Sequence, residues 1–134
     1  MKTAVIYWSG TGNTEAMAKA AAEGANAELF TVSEFGGNIA DYDAIAFGCP
    51  AMGAEVLEEE EFEPFFTDIE ASLSGKKVLL FGSYGWGDGE WMRNWCERTK
   101  AAGAELIAEE GFIVNEAPSD DDLAKLKELA AQLA

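Results

Sequence analysis

Three short stretches of this chain are apolar at nearly every position. Thr3–Trp8, Ala44–Gly48 and Lys77–Phe81 lack the apolar–polar alternation of a strand with one wet face. They predict strands covered on both sides. Between them the period lengthens. Thr14–Glu23 reads as a helix with Ala16, Met17 and Ala20 turned inward, Phe62–Leu73 as a second helix, and Glu90–Ala101 as a third that Gly103 can terminate. Ala27–Val32 predicts a short strand near a sheet edge. Glu105–Val114 predicts a last strand region, interrupted by Glu109-Glu110-Gly111. Ser119 is placed to cap a final helix running to Leu133, with Asp120–Asp122 in its first turn.

Five strands joined by helical crossovers imply an α/β fold, a doubly wound parallel sheet with helices on both faces. Ligands of such sheets bind beyond the carboxyl ends of the strands, where the strand order reverses. The unusual loops of this chain all follow strands. They are Ser9–Thr14, Cys49–Leu57 and Ser83–Glu90. Residues 1–134 read as a single domain without repeat, linker or low-complexity segment.

The first loop, Ser9-Gly10-Thr11-Gly12-Asn13-Thr14, opens onto a helix. A helix N-terminus offers unpaired N–H groups and partial positive charge, and glycines let an anion approach the backbone. Three hydroxyls and one amide add side-chain donors. It is not a P-loop, because Asn13-Thr14-Glu15 stands where Gly-Lys-Ser/Thr is needed. Nor is it a dinucleotide fingerprint, whose third glycine would fall at Glu15. The bland alternative is a capping turn with Asn13 or Thr14 as N-cap. In the third loop, Gly82, Gly85, Gly87 and Gly89 bracket Tyr84 and Trp86, large flat side chains placed to stack on a planar ligand. Otherwise Trp86 merely packs over a helix end. In the second loop, Met52 suits the face of a flat ring, and Met52-Gly53-Ala54-Glu55 has the length of a β-turn. Alone, that is a turn beside a core methionine.

Charge narrows the choice. Twenty-five acidic against nine basic residues give a formal charge of −16, which argues against nucleic acid and anionic membrane partners. Such a field favours basic patches on partner proteins. No run is long enough to span a bilayer and the N-terminus lacks a signal-peptide plan, so a cytoplasmic protein is expected. Cys49 and Cys96 stand far apart and the chain has no histidine. That supports neither a zinc site nor a His-based triad.

With the three loops read, the chain resembles a flavodoxin of the short-chain clostridial type, nearly end to end. The most specific segments are Tyr7–Glu15, Gly48–Gly53 and Phe81–Gly87. The resemblance implies a five-stranded sheet of order 2-1-3-4-5 with FMN at the switch point, in a small acidic one-electron carrier rather than an enzyme. It implies that Ser9, Gly10, Thr11, Gly12, Asn13 and Thr14 hold the FMN phosphate. Trp86 would stack on one flavin face, with Met52, beside Pro50 and Ala51, against the other. Backbone groups of Ser83, Tyr84, Gly85, Trp86 and Gly87 and of the 52–55 turn would meet the pyrimidine edge. Glu55 would accept from N3–H, and Asn115 and Glu116 would rim the ring. In the family, the peptide matching Gly53–Ala54 flips on reduction and its carbonyl accepts from protonated N5 of the semiquinone.

The physics of those roles is consistent. A hydrogen bond made only by the semiquinone, worth about 1 kcal/mol, moves a one-electron potential by roughly 40 mV. The reduced flavin is an anion, and one further negative charge at ~10 Å costs about 1.7 kcal/mol at an effective dielectric of 20. A low-potential semiquinone/hydroquinone couple is therefore expected. Ala54 is a departure, since a turn demanding positive φ suits Gly, Asn or Asp better, and it implies a smaller semiquinone bonus. The short first helix and second strand (Glu15–Val32) are another. The acidic rim around Glu55 and Glu58–Glu61 is expected to dock transiently on basic surfaces of reductases or ferredoxin-dependent enzymes, with the carrier a monomer. Two rival functions stand beside this one. A small FMN-dependent quinone or nitro-compound reductase needs a substrate pocket over the ring. A non-redox phosphate-binding or signalling domain would leave the protein colourless with FMN.

Overall fold

A computed structural model describes residues 2–10, 12–52, 56–85 and 87–133 of the chain. Strand β1 (Thr3–Tyr7) is buried at every position, as is β3 (Ala44–Gly48), which is why both read as unbroken apolar runs. They lie side by side in parallel, from Thr3 opposite Ala44 to Tyr7 opposite Gly48. Strand β2 (Glu28–Thr31) pairs with the outer side of β1, and its leading residues are exposed, as an edge strand's are. Strand β4 (Lys77–Tyr84) pairs with β3. The order is thus 2-1-3-4-5, with every pairing parallel.

The fifth position departs in detail from a single strand. Two short pieces occupy it, β5 (Glu105–Leu106) against Lys77 and Val78 and β6 (Phe112–Asn115) against Phe81–Tyr84. The acidic turn around Gly111 separates them, and Gly111 adopts a φ of 74°. Because β6 reaches so far, β4 continues through Ser83 and Tyr84, three residues beyond its predicted end.

Alternation along the central strands assigns each helix to a face. Ile6, Phe47 and Leu80 point to one side, where they meet Phe62 and Phe66 of α2 (Phe62–Ile69) and Trp91 and Trp95 of α3 (Glu90–Ala101). Val5, Ala46 and Leu79 point to the other, onto Met17 and Ala21 of α1 (Asn13–Ala25) and Leu126 of α4 (Asp120–Ala130). Helix α1 is longer than its pattern suggested, and α2 tightens into a 3-10 turn at Glu70–Leu73. The expected cap of the last helix is present. Ser119 Oγ accepts from Asp122 N, and the Asp122 carboxylate accepts from Ser119 N.

Glu58 departs from expectation in a way that matters. Expected on a solvated acidic rim, it is only 6% exposed. Its carboxylate accepts the N–H groups of Glu60, Glu61 and Phe62 at 2.9, 2.7 and 2.8 Å, closing the start of α2. Burial works to raise its pKa, but these three backbone bonds together hold it below the ordinary glutamate value. A sequence of four consecutive glutamates gives no sign of which one turns inward.

Two predictions follow from the packing. A Cβ on Gly82 would stand 2.1 Å from the Cys49 carbonyl oxygen and 3.3 Å from the Trp91 ring. Gly82→Ala is expected to destabilise the apoprotein by about 1–3 kcal/mol in urea unfolding, and a neutral result would mean that β3 and β4 separate freely there. The second concerns Arg98, which forks between Glu63 at 2.8 Å and Glu70 at 3.0 Å and ties α3 to α2. Burial pushes the Glu63 pKa up, but the bonds from Arg98 and Thr67 outweigh it and leave it lowered. A carboxyl lowered on folding stabilises the fold above its unfolded pKa and loses that contribution as pH falls through its folded one. Glu63→Gln should therefore flatten the fall of Tm between about pH 5 and pH 3; profiles parallel to the wild type would contradict this.

Candidate functional site

The chain leaves β1 at Tyr7 and enters α1 at Asn13, and the turn between is organised by one hydroxyl. Ser9 Oγ accepts N–H groups from both Gly12, at 3.1 Å, and Glu15, at 3.2 Å. Gly12 is the N-cap, with φ 95°, a conformation a side chain would strain. The alternative with Asn13 or Thr14 as cap is thereby corrected. Asn13 is already helical, and the buried Thr14 hydroxyl faces Ser83 Oγ at 3.3 Å, joining this loop to β4. First-turn N–H groups have no carbonyl partners within a helix, and the dipole of thirteen residues adds positive potential. With no Lys or Arg in Ser9–Thr14, these dipoles are what the loop offers an anion. Thr11 lies outside the described residues.

The second loop is pinned to β4 before it departs. Cys49 N donates to Phe81 O and Ala51 N to Ser83 O, each at 3.1 Å. Met52 and Val56 then exchange two backbone bonds, 2.8 and 3.0 Å, as an antiparallel bridge. Gly53, Ala54 and Glu55, between them, lie outside the described residues. Met52 is half-buried beside Pro50 and Ala51.

In the third loop, the Tyr84 carbonyl accepts from Glu116 N at 2.7 Å and Asn115 Nδ2 at 3.3 Å. Glu116 holds a φ of 60°, unusual for a residue with a side chain, directly after β6. Asn115 and Glu116 thus brace the carboxyl end of β4. Gly87 has φ 89°, and the Tyr84 ring packs at 5.6 Å on Trp91. Trp86 lies outside the described residues.

These loops surround an open cleft of ≈ 230 Å³ at the strand ends. Gly10 and Asn13 line it from the first loop, Pro50, Ala51 and Met52 from the second, and Ser83, Tyr84 and Gly85 from the third, with Glu116 at the side. Trp8 also lines it, a residue the sequence reading left in the strand. Its signal was a large aromatic in the last strand position before a glycine-rich turn. At Gly85 neither a left-handed φ nor a neighbour within 4 Å excludes a side chain, among the described residues. The room it leaves belongs to whatever fills the cleft. A flat, largely apolar slot with an anion-attracting helix terminus beside it fits FMN, a planar ring carrying a phosphate on a polyol.

Beneath the cleft, the Cys49 thiol is fully buried and its pKa is pushed well above the ordinary range, chiefly by burial. It stays protonated and inert. Cys96 is also a free, buried thiol, raised by burial to about 11. Among the described residues, no group of three or more His, Cys, Asp or Glu is arranged to hold a metal ion.

A family model described as flavodoxin matches residues 5–129. A flavodoxin from Megasphaera elsdenii is 51% identical over 136 residues, covering 97% of this chain and 96% of that protein. One from Clostridium beijerinckii is 48% identical over 122 residues, covering 87% and 88%. The solution structure of two-electron reduced Megasphaera elsdenii flavodoxin matches with a TM-score of 0.82 at 47% identity, covering 97% of this chain and 98% of that one. Strand order, loop chemistry and end-to-end similarity agree: the chain belongs to the flavodoxin family, small electron carriers that bind FMN.

Proposed function

We propose that FMN lies in the cleft with its phosphate on the Ser9–Thr14 turn and its ring between Met52 and Trp86. The observation that carries this reading is the convergence of three loops on one cleft beside the α1 N-terminus. Ser9 holds the phosphate turn in shape, Gly10 and Gly12 let the anion approach, and Thr11, Asn13 and Thr14 add donors. Pro50 and Ala51 lead Met52 to the ring, and Ser83, Tyr84, Gly85 and Gly87 present backbone groups to its edge. Asn115 and Glu116 keep the β4 end in place from the rim. FMN supplies the one-electron chemistry; the protein supplies orientation and electrostatics.

Within that reading, Gly53, Ala54 and Glu55 tune the potential. Glu55 would be the acceptor for the ring's N3–H, and the Gly53–Ala54 peptide would be a hydrogen-bond partner at its N5. Surrounding carboxylates disfavour a second electron, which makes the carrier a low-potential donor. Its partners are reductases and ferredoxin-dependent enzymes with basic docking surfaces, met by a monomer in the cytoplasm. Exposed Glu59, Glu60, Glu61 and Glu116 support the docking, without Glu58. Two buried free thiols suit a reducing compartment. Among the described residues no helix is long and apolar enough to cross a membrane.

Stepwise anaerobic reduction of the FMN-loaded protein tests one-electron carriage. Absorption beyond about 550 nm, transient at half reduction, is the expected result where N5 is protonated and hydrogen-bonded. Direct bleaching, together with NADH oxidation unaided by a reductase, would favour the two-electron enzyme instead. Gly85→Ala tests the placement of the ring. It should leave apoprotein stability within about 0.5 kcal/mol while weakening FMN binding about tenfold or more, as read by recovery of flavin fluorescence. Unchanged affinity would move the ring away from Gly85.

A further inference from the structure

The loop between β3 and α2 is closed at its base mainly by side chains. Cys49 is held at its backbone and at its thiol, which donates to Pro50 O at 3.6 Å. Its N–H donates to Phe81 O at 3.1 Å, its carbonyl accepts from the buried Trp91 indole at 3.2 Å, and its thiol accepts the N–H of Glu58 at 3.3 Å. The Glu58 carboxylate meanwhile takes three N–H groups at the start of α2. One residue therefore joins the end of β3 to the beginning of α2. Inside this ring, the Met52–Val56 bridge fixes a second pair of points. Met52 and Val56 are thereby held against each other inside the same set of anchors.

We propose that Glu58 is a positioning residue for the loop after β3: by linking Cys49 to the first turn of α2, it sets where the Met52–Val56 bridge stands against FMN. Through that placement it governs how tightly FMN binds and how far apart the two one-electron potentials lie. The proposal rests on the placement of the ring against Met52 given above. Nothing in the run Glu58–Glu61 singles out Glu58; burial and bonding do. Glu59, Glu60 and Glu61 are exposed, whereas Glu58 is 6% exposed with every carboxylate bond spent on backbone. Two simpler roles compete with positioning. Glu58 could act only as a helix cap, or only as one more negative charge near the cofactor.

Four proteins separate these roles: wild type, Glu58→Gln, Glu60→Gln and Ser119→Ala. Glu58→Gln keeps the side-chain shape but removes charge-assisted acceptance from three N–H groups. Glu60→Gln removes an exposed charge from the same turn. Ser119→Ala removes the cap of α4, in an element on the opposite face of the sheet from α2. Each is measured for FMN dissociation constant, for both midpoint potentials, for apoprotein Tm and for amide hydrogen exchange at residues 58 and 60–62. Glu58→Gln is expected to weaken FMN binding about tenfold or more, to change the separation of the two potentials, and to speed exchange at residue 58 as well as 60–62. Ser119→Ala should lower Tm alone. Glu60→Gln should shift both potentials in the same direction, with affinity within about twofold.

The proposal is overturned if Glu58→Gln behaves like Ser119→Ala, or shifts both potentials together as Glu60→Gln does. If Glu58→Gln does not fold, Glu58→Asp is read by the same criteria, since it keeps the charge and shortens the reach. A wild type that takes up no FMN would overturn the cofactor placement itself, and this role with it. FMN uptake equal in wild type and Glu58→Gln, with unchanged potentials, overturns the role of Glu58 alone.

Discussion

The site depends on how the chain leaves two neighbouring strands. Strands β1 and β3 are adjacent and parallel, so both point their carboxyl ends the same way. From β1 the chain crosses to the face of α1, and from β3 to the face of α2, on opposite sides of the sheet. The two loops therefore diverge, and a gap opens between them at the strand ends. Everything functional follows from that divergence. The α1 N-terminus borders the gap from one side, the Met52 loop from the other, and the prolonged β4 forms its third wall.

What occupies the gap must suit an unusual electrostatic setting. The chain is strongly acidic, yet the turn Ser9–Thr14 contains no cation and offers an anion only backbone dipoles, hydroxyls and one amide. A helix terminus offers directed donors without neutralising the negative field around them. A helix terminus can thus hold an anion locally while the acidic field around it still disfavours further negative charge. With FMN placed as proposed, the same arrangement would disfavour a second electron on the ring. Glu58 shows the economy of the design: one carboxylate of the acidic stretch is turned inward to hold a helix and a loop together, and its neighbours stay in water.

Much of this was legible in the sequence because its signals are local. Complete burial made β1 and β3 readable, and the loop Ser9–Thr14 announced itself by composition. The family resemblance followed from those loops taken together, and the strand order was what that resemblance implied. What the sequence did not disclose depends on contacts between distant residues. The extension of β4 through Tyr84 exists because β6 pairs with it. The division of the edge position into β5 and β6 depends on the turn at Gly111. Thr14 lies against Ser83, sixty-nine residues away, and Trp91 meets the Cys49 carbonyl across forty-two. The inward turn of Glu58 was hidden for the same reason: the three residues after it are also glutamates, and its reach to α2 and its N–H to the Cys49 thiol distinguish it.

The central claim is that backbone dipoles at the α1 N-terminus, without a cation, hold the phosphate of FMN. It is tested most directly by titrating the apoprotein with FMN and with riboflavin, which shares the ring and lacks the phosphate. The account predicts that FMN binds at least about a hundredfold more tightly than riboflavin, a difference of some 2.7 kcal/mol. Equal affinities would show that the ring alone is recognised and would contradict the role assigned to Ser9–Thr14.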